Sequence, residues 1–310
     1  MRYRSLAAAF LLSCLYSSAF SQKPVVTEGI IVHLEKFPTK YVEPRNVDIW
    51  LPRGYDSLQR YDVLYVHDGQ VMFDPGLGSL SKEEWGLDEM MSKLMAQKKI
   101  KNSIVVAIWN SGEGRRADYT PQKPTESLPQ PLLEGLYNQY GAKPGDPFYN
   151  RKVRSDAYLK FIVSELKPYI DSHYATYHSP KHTHIMGSSM GGLISLYAIC
   201  EYPEIFGSAA CLSTHWPVLF SMEKNPFPNA IFEYLKKKLP DSKSHRIYFD
   251  YGDKTLDALY PPLQKRADVL MKKAGYTSAN WKTRFFPGEE HSERAWKKRL
   301  DVPLLFMLSR

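Results

Sequence analysis

The pentapeptide Gly187-Ser188-Ser189-Met190-Gly191 places a serine between two glycines at the junction of a strand pattern and a helix pattern. The preceding residues 183–186 are typical of a short buried strand, and the apolar run 192–199 is typical of a buried helix. In this context G-x-S-x-G forms a nucleophile elbow, whose sharp turn projects the central hydroxyl. The helix amino terminus adds partial positive charge where an oxyanion would form. We therefore predict that Ser189 is the nucleophile of a serine hydrolase.

A serine hydroxyl needs a neighbouring base, and few histidines can fill that role here. Of the nine histidines, only His215, His245 and His291 follow the nucleophile. In the α/β-hydrolase chain order, the acid follows the serine and the base comes last. His215 comes too early for an acid to precede it after the next strand, and His245 begins a predicted strand. His291 lies in a polar loop after the last predicted strand, and we predict that it is the base.

The acid is expected just after the next-to-last predicted strand, where the chain carries Asp253 and Asp257. Each also has a structural alternative: Asp253 lies in a sequence typical of a turn, and Asp257 could be the N-cap of the next helix. We prefer Asp257, with Asp253 as the second choice. Asp250 lies inside the strand and is expected to point into the scaffold. The neighbours of the predicted base, Glu289 and Glu290, are a third alternative.

An oxyanion hole needs two preorganised N–H donors. One is expected to be the backbone N–H of Met190, the residue after the nucleophile. The other is expected in the loop after the core strand 61–66, where Gly69 would let the backbone approach closely. We predict the N–H of Gln70 as this second donor, with the N–H of Val71 as the alternative.

Strand patterns alternate with helix patterns, which predicts an α/β protein with a mostly parallel sheet covered by helices on both faces. Ser155 is expected to cap a helix that begins near Tyr158, and Pro168 is expected to interrupt or kink that helix. Two stretches, 110–154 and 213–229, lack clear periodicity and are predicted to be irregular insertions, the first of them shaping a pocket. The predicted strands cover 25–36, 46–51, 61–66, 103–109, 183–186, 207–212, 245–251 and 281–286, and the remaining helices 87–97, 192–199, 231–239 and 262–275.

The amino terminus resembles an export signal. Arg2 and Arg4 precede the apolar run 6–15, and Ala19-Phe20-Ser21 forms a small-x-small cleavage site. We predict cleavage after residue 21 and a periplasmic or secreted protein, with lipid attachment at Cys14 as the less favoured alternative. Residues 22–310 are then expected to form a single domain, and no second apolar stretch is long enough to span a membrane.

The charge and the cysteines narrow the function classes. The formal charge is +8, spread along the chain in small clusters typical of solvated helix faces, so we predict no nucleic-acid partner. Cys200 and Cys211 lie in apolar runs and are expected to be buried rather than part of a disulfide framework. His182 and His184 have chelating spacing without a nearby third ligand, so we expect structural histidines, no metal and no cofactor.

These residues resemble the Putative esterase group of α/β-hydrolases, which holds carbohydrate esterase family one (acetyl xylan and feruloyl esterases), siderophore esterases, S-formylglutathione hydrolase and the mycolyltransferases. The likeness runs from about residue 40 to 300. It rests on segments 63–70, 115–121 and 187–192 and on His291-Ser292-Glu293 followed by Trp296. The resemblance implies an α/β-hydrolase fold, with the family's nucleophile and base falling on Ser189 and His291. Thr255 occupies one common acid position, which leaves the acid open, and some siderophore esterases of this type work with a dyad.

The substrate is expected to be chosen by the two insertions, whose aromatic residues suit sugar or feruloyl rings and whose arginine suits an anionic group. We predict an exported serine esterase for acyl or feruloyl esters on polysaccharide. The alternatives are a siderophore trilactone esterase and, outside enzymes, a catalytically silent carbohydrate-binding module. The sequence does not decide between water and an alcohol as the final acyl acceptor. The candidate pocket residues are Arg115, Tyr119, Tyr137, Tyr140, Tyr149, His215 and Trp216.

Overall fold

The computed structural model describes residues 23–77, 82–143, 146, 148 and 153–310. The predicted signal segment 1–21 with Cys14, and the pocket candidate Tyr149, lie outside these residues.

Eight strands form one sheet in the order β1-β2-β4-β3-β5-β6-β7-β8. The first strands, β1, β2 and β4, pair antiparallel, and every later pair is parallel. This confirms the mostly parallel sheet expected from the sequence. The strands are β1 (Ile30–Phe37), β2 (Arg45–Leu51), β3 (Asp62–His67), β4 (Ser103–Ile108), β5 (Thr183–Ser188), β6 (Ser208–Leu212), β7 (Arg246–Tyr251) and β8 (Trp281–Phe285).

Helices cover both faces of the sheet, because successive side chains of each central strand point to opposite sides. In β3, Val63 and Tyr65 enter one buried cluster, whereas Leu64 and Val66 enter another. The α-helices are α1 (Leu87–Ala96), α2 (Arg115–Tyr119), α3 (Gln122–Glu126), α4 (Gln130–Tyr140), α5 (Ser155–Phe161), α6 (Lys167–His173), α7 (Met190–Glu201), α8 (Phe227–Lys238), α9 (Pro261–Lys273), α10 (Glu293–Lys298) and α11 (Asp301–Leu308). The first cluster packs under α5, α7, α8 and α9, and the second packs under α1 and α11.

The expectation of an irregular stretch over 110–154 is wrong for much of its described part, which holds α2, α3 and α4. The helices α2 and α3 have only five residues each, and prolines at the starts of α3 and α4 break the periodic pattern that would predict them. The second stretch, 213–229, is irregular only until α8 begins at Phe227.

The helix cap predicted at Ser155 is also wrong, because α5 begins at Ser155 itself. The Ser155 hydroxyl accepts a hydrogen bond from the Gln122 N–H at 2.9 Å and so ties α5 to α3. A π-helical turn over Ile162–Leu166 separates α5 from α6, and Pro168 lies in the first turn of α6. The helices α10 and α11 are not predicted from the sequence, although α11 contributes Leu304, Met307 and Leu308 to the core.

The carboxyl ends of the parallel strands meet at one edge of the sheet, where open α/β sheets carry their sites. At the opposite end, His182 and His184 share the buried carboxylate of Asp62, at 2.6 and 3.1 Å. Cys200 and Cys211 are buried, free thiols. Across the described ranges, no helix is both long and apolar enough to cross a bilayer.

Candidate active site

Ser189 is the single residue between β5 and α7, and it has a φ of 57° and a ψ of −122°. Residues other than glycine rarely adopt this backbone conformation, because it is strained and persists only where surrounding contacts hold it. The Ser189 N–H donates to the Leu212 carbonyl at 2.9 Å, and its carbonyl accepts the N–H of His215 at 3.1 Å. A Cβ added at Gly187 would lie 2.6 Å from the backbone of Gly191, so strand and helix can pass this closely only without a side chain.

The imidazole of His291 is fixed in a loop between β8 and α10. Its Nδ1 lies 2.6 Å from Oδ1 of Asp257, and its backbone N–H donates to the Thr255 hydroxyl at 2.9 Å. The rings of Tyr260 and Trp296 meet the imidazole edge-on at 5.8 and 5.0 Å. The ring therefore has one orientation, with Nδ1 committed to Asp257 and Nε2 left for chemistry.

The carboxylate of Asp257 is fully buried, in a short 3-10 turn over Thr255–Leu259. Its Oδ2 accepts the Gly252 N–H at 2.6 Å and the Ser213 hydroxyl at 2.7 Å. Burial alone would raise the pKa of Asp257, but the hydrogen bonds from His291, Gly252 and Ser213 outweigh it and hold this pKa below its ordinary value. The carboxylate is therefore ionised beside the imidazole.

The other acidic candidates do not contact the His291 ring. Asp253 accepts the Gly288 N–H at 2.9 Å and lies 3.6 Å from the Lys254 ammonium. Glu289 pairs with Lys298 and Glu290 with Arg294. Asp253 therefore holds the turn at Gly288, and the two glutamates pair with residues of α10. Of the acidic candidates, Asp257 alone reaches the imidazole.

The two predicted oxyanion donors lie close to the nucleophile in different ways: Met190 follows it in the chain, and Gln70 lines its pocket. Met190 opens α7, so its N–H is among the helix donors that have no partner within the helix. Gln70 lines the same pocket as Ser189, and no carbonyl of the described residues accepts its N–H. The N–H of Val71 already donates to the Asp68 carbonyl at 3.1 Å, which leaves Gln70 as the better donor.

Asp68 and Arg115 form a pair beside the nucleophile that the sequence reasoning missed. Arg115 donates to both oxygens of Asp68, at 2.6 and 2.7 Å, and Asn110 adds a third hydrogen bond at 2.7 Å. Burial alone would raise the pKa of Asp68, but Arg115 outweighs it and lowers this pKa. Asp68 also has a φ of 59°, which is uncommon outside glycine and sets the direction of the loop that carries Gln70. The positive φ required at a non-glycine residue leaves no signal in the sequence.

Among the predicted pocket residues that the structure describes, only Arg115 lines the pocket around Ser189, and its charge is already paired with Asp68. Tyr119 is fully buried under Arg115, with its ring 5.1 Å from the guanidinium. Tyr137 packs on Phe148, and Tyr140 lines a separate groove.

The expectation that His215 and Trp216 line the pocket is not met, because both side chains are buried in the core. His215 lies 2.8 Å from the Tyr260 hydroxyl, and burial, aided by Arg116, keeps its pKa well below the ordinary value. Trp216 donates to Gln264 and packs between Phe232 and Phe249. These two residues of the segment 213–229 therefore belong to the core and not to the pocket lining.

The pocket has a volume of about 270 Å³ at the carboxyl edge of the sheet. Ser189 and His291 share it with two tryptophans, Trp85 and Trp296, whose ring centroids lie 5.6 Å apart. Val71 and the polar residues Asp68, Gln70, Asn110, Arg115, Ser188 and Glu293 complete its lining.

Residues 40–307 match the model of the family described as Putative esterase. The chain belongs to this family. Membership makes the protein a carboxylic-ester hydrolase and confirms the resemblance drawn from its motifs. In sequence it is 25% identical over 230 residues to the uncharacterized protein YjcH of Bacillus subtilis, covering 74% of this chain and 75% of YjcH.

Solved structures share the fold of this esterase at low identity. A ferulic acid esterase of family CE1 from Anaeromyces mucronatus superposes with a TM-score of 0.61 and 16% identity, covering 93% of this chain and 92% of that one. The enterobactin esterase FES from Shigella flexneri superposes with a TM-score of 0.64 and 15% identity, covering 92% of this chain and 60% of FES. The α/β-hydrolase fold predicted from the sequence is thereby confirmed.

Proposed function

We propose that this esterase is an exported serine hydrolase that cleaves acyl or feruloyl esters on polysaccharide through an acyl-enzyme. The contact of 2.6 Å between His291 and Asp257, in the pocket that also holds the strained Ser189, carries the proposal. A buried, ionised carboxylate on Nδ1 of an imidazole, with a serine at an elbow nearby, is the arrangement that makes a hydroxyl nucleophilic.

In the proposed first step, the Ser189 oxygen attacks the ester carbonyl carbon while its proton moves to Nε2 of His291. Asp257 keeps the other proton of the ring on Nδ1 and stabilises the imidazolium that forms. The carbonyl oxygen becomes an oxyanion that accepts hydrogen bonds from the backbone N–H groups of Met190 and Gln70. When the tetrahedral intermediate collapses, the bond to the alcohol breaks and the alcohol leaves with the proton of His291.

In the second step, a water attacks the acyl carbon and gives its proton to Nε2 of His291. Collapse of the second intermediate returns that proton to the Ser189 oxygen and releases the acid. An alcohol in place of this water would transfer the acyl group, so a competing alcohol measures the partition between hydrolysis and transfer.

The charges around the nucleophile favour an uncharged ester over an anionic iron chelate. Arg115 is held in a two-pronged hydrogen-bonded pair by Asp68, at 2.6 and 2.7 Å. Glu293 adds a carboxylate to the same pocket. A catecholate trilactone loaded with iron would meet no unpaired arginine in this lining, whereas Trp85 and Trp296 suit an apolar or aromatic acyl group.

A substrate panel tests the proposal. Turnover of p-nitrophenyl acetate, methyl ferulate, acetylated xylan and a catecholate trilactone is measured with the chain from residue 22 and with its Ser189→Ala variant. We expect Ser189-dependent turnover of acetylated xylan or methyl ferulate to exceed turnover of the trilactone. Preference for the trilactone would move the assignment to siderophores, and no turnover at all would favour the carbohydrate-binding module.

Export is part of the proposal and has its own test. When the full chain is expressed in a Gram-negative host, amino-terminal sequencing of the mature protein should begin at Gln22. Retention of Met1 would refute cleavage, and a lipid-modified protein beginning at Cys14 would support the anchored alternative.

A further inference from the structure

A second pocket, of about 500 Å³, adjoins the catalytic pocket. Asn110 lines both, and the segment that follows it, up to Gly114, forms the near wall of the second pocket. The far wall comes from the ends of β1 and β2, near Lys36 and Asn46, and from Arg154. This volume lies within the range of small-ligand sites, and the proposed reaction does not use the pocket.

Trp109 gives this pocket a fixed aromatic wall. Its indole Nε1 donates inward to Asp48, a fully buried carboxylate that also lies 2.5 Å from Nδ1 of His33. Its backbone N–H donates to the Asn46 carbonyl at 3.0 Å. Because the polar edge of the indole is satisfied inside the protein, the carbon face of the ring is what the pocket can use. Because the indole is already fixed, a ligand that binds to its face costs no further conformational entropy of the side chain.

The charged groups around the pocket balance. Arg154 lies 2.6 Å from Asp118 and also pairs with Glu43, and the buried Arg45 lies 3.0 Å from Asp118. Lys36 and Glu113 are exposed at the rim. The lining therefore holds three cations, Lys36, Arg45 and Arg154, and two carboxylates, Glu43 and Glu113. The buried Asp118 behind Arg45 and Arg154 supplies the third negative charge. With no net charge to attract an ion, the lining suits an uncharged ligand that carries several hydroxyl groups.

We propose that the Trp109 pocket binds a neutral pyranose ring of the polysaccharide that carries the scissile ester. This inference rests on the proposed function and names part of its substrate. The C–H face of the sugar ring stacks on Trp109, and its hydroxyls hydrogen-bond with the rim groups Lys36 and Glu113. Since Asn110 borders both pockets, a saccharide chain seated there presents a neighbouring esterified unit to Ser189.

Binding without turnover tests the inference. Xylohexaose is titrated calorimetrically into the Ser189→Ala protein, with and without a second change, Trp109→Ala. We expect removal of the indole to raise the Kd about tenfold, the loss that one aromatic contact supports. The matched control is Tyr177→Ala, an exposed aromatic that stacks on His182 at the opposite end of the sheet and is expected to leave the Kd unchanged.

A second variant keeps the test decisive if Trp109→Ala does not fold. Glu113 is exposed, so Glu113→Ala preserves the fold and should raise the Kd about threefold through one lost hydrogen bond. Absence of binding by the Ser189→Ala protein, or a Kd that neither Trp109→Ala nor Glu113→Ala raises, would overturn the inference.

Activity measurements separate this inference from the proposed function. In the protein with Ser189 intact, Trp109→Ala should lower the ratio of kcat/KM for acetylated xylan to kcat/KM for p-nitrophenyl acetate about tenfold. If xylohexaose binds through Trp109 but no ester is hydrolysed, the proposed function fails and the pocket assignment stands. If esters are hydrolysed and the ratio does not change, only the pocket assignment fails.

Discussion

Replacing Asp257 with asparagine should reverse the hydrogen-bond role at Nδ1 of His291 while leaving the surrounding fold in place. In the native site Oδ2 accepts both the Gly252 N–H and the Ser213 hydroxyl, and Oδ1 faces the imidazole at 2.6 Å. The amide oxygen of Asp257→Asn keeps the two bonds at the Oδ2 position, which turns the NH₂ group toward Nδ1. The imidazole must then carry its proton on Nε2, where it cannot accept the proton of Ser189.

A wrong tautomer of this kind costs about a thousandfold to ten-thousandfold in kcat. Hydrolysis of p-nitrophenyl acetate near neutral pH measures the loss of kcat, and urea denaturation checks that the variant is folded. The matched control is Asp253→Asn, which can keep the bond to the Gly288 N–H at 2.9 Å and should change kcat less than twofold (roughly the scatter of a surface change). A loss below about tenfold for Asp257→Asn, or an equal loss in both variants, would refute the assignment of the acid.

Three further changes probe the pair beside the nucleophile, a buried carboxyl and the elbow. Arg115→Met leaves the Asp68 carboxylate with the Asn110 hydrogen bond but without its cation, and should lower the free energy of unfolding in urea by about 2 kcal/mol; no change would contradict a stabilising pair. Burial and a neighbouring carboxylate raise the pKa of the buried Asp88 to about 6, so the folded state holds this proton more tightly than the unfolded state. Wild-type stability should therefore fall by up to about 3 kcal/mol as the pH rises from about 4 to about 6, relative to Asp88→Asn; parallel pH curves would show the reasoning wrong. Gly187→Ala places a Cβ 2.6 Å from backbone and should destabilise by about 1–3 kcal/mol, whereas Gly135→Ala, with open space around it, should not; equal unfolding midpoints would contradict the close packing.

The sequence predicted the sheet because its core strands are continuous apolar runs bounded by turn residues. Two apolar runs, one ending at Val66 and one at Ile108, each predict a strand that is buried on both faces of the sheet. The strand before the elbow and the helix after it are equally clear, since Gly187 and Gly191 separate two apolar segments of different period. Local pattern was sufficient wherever burial was complete.

Features that depend on contacts between distant segments were not predicted. Asp68 and Arg115 lie 47 positions apart, and nothing local shows that the arginine reaches back to the loop after β3. Composition placed His215 and Trp216 in a substrate loop, but their burial is decided by packing against Tyr260 and against Phe232 and Phe249. The helices α10 and α11 follow the last strand and carry apolar residues of their own, but neither was predicted.

The position of the acid partner of His291 could be only partly predicted from the sequence. Asp253 and Asp257 both follow β7, and the sequence alone ranked them only by preference. In the structure the 3-10 turn over Thr255–Leu259 carries Asp257 inward beneath the imidazole and leaves Asp253 at the Gly288 turn. A turn of that kind has no periodic pattern, so the three-dimensional path of the chain had to be known.

Covalent labelling of Ser189 tests the central claim most directly. The mature chain is treated with a fluorophosphonate, and the labelled peptide is identified by mass spectrometry, with Ser188→Ala and Ser189→Ala as matched variants of adjacent serines that line the same pocket. The account predicts one adduct, on Ser189, that persists in Ser188→Ala and disappears together with esterase activity in Ser189→Ala. Labelling or ester hydrolysis that survives in Ser189→Ala would contradict it.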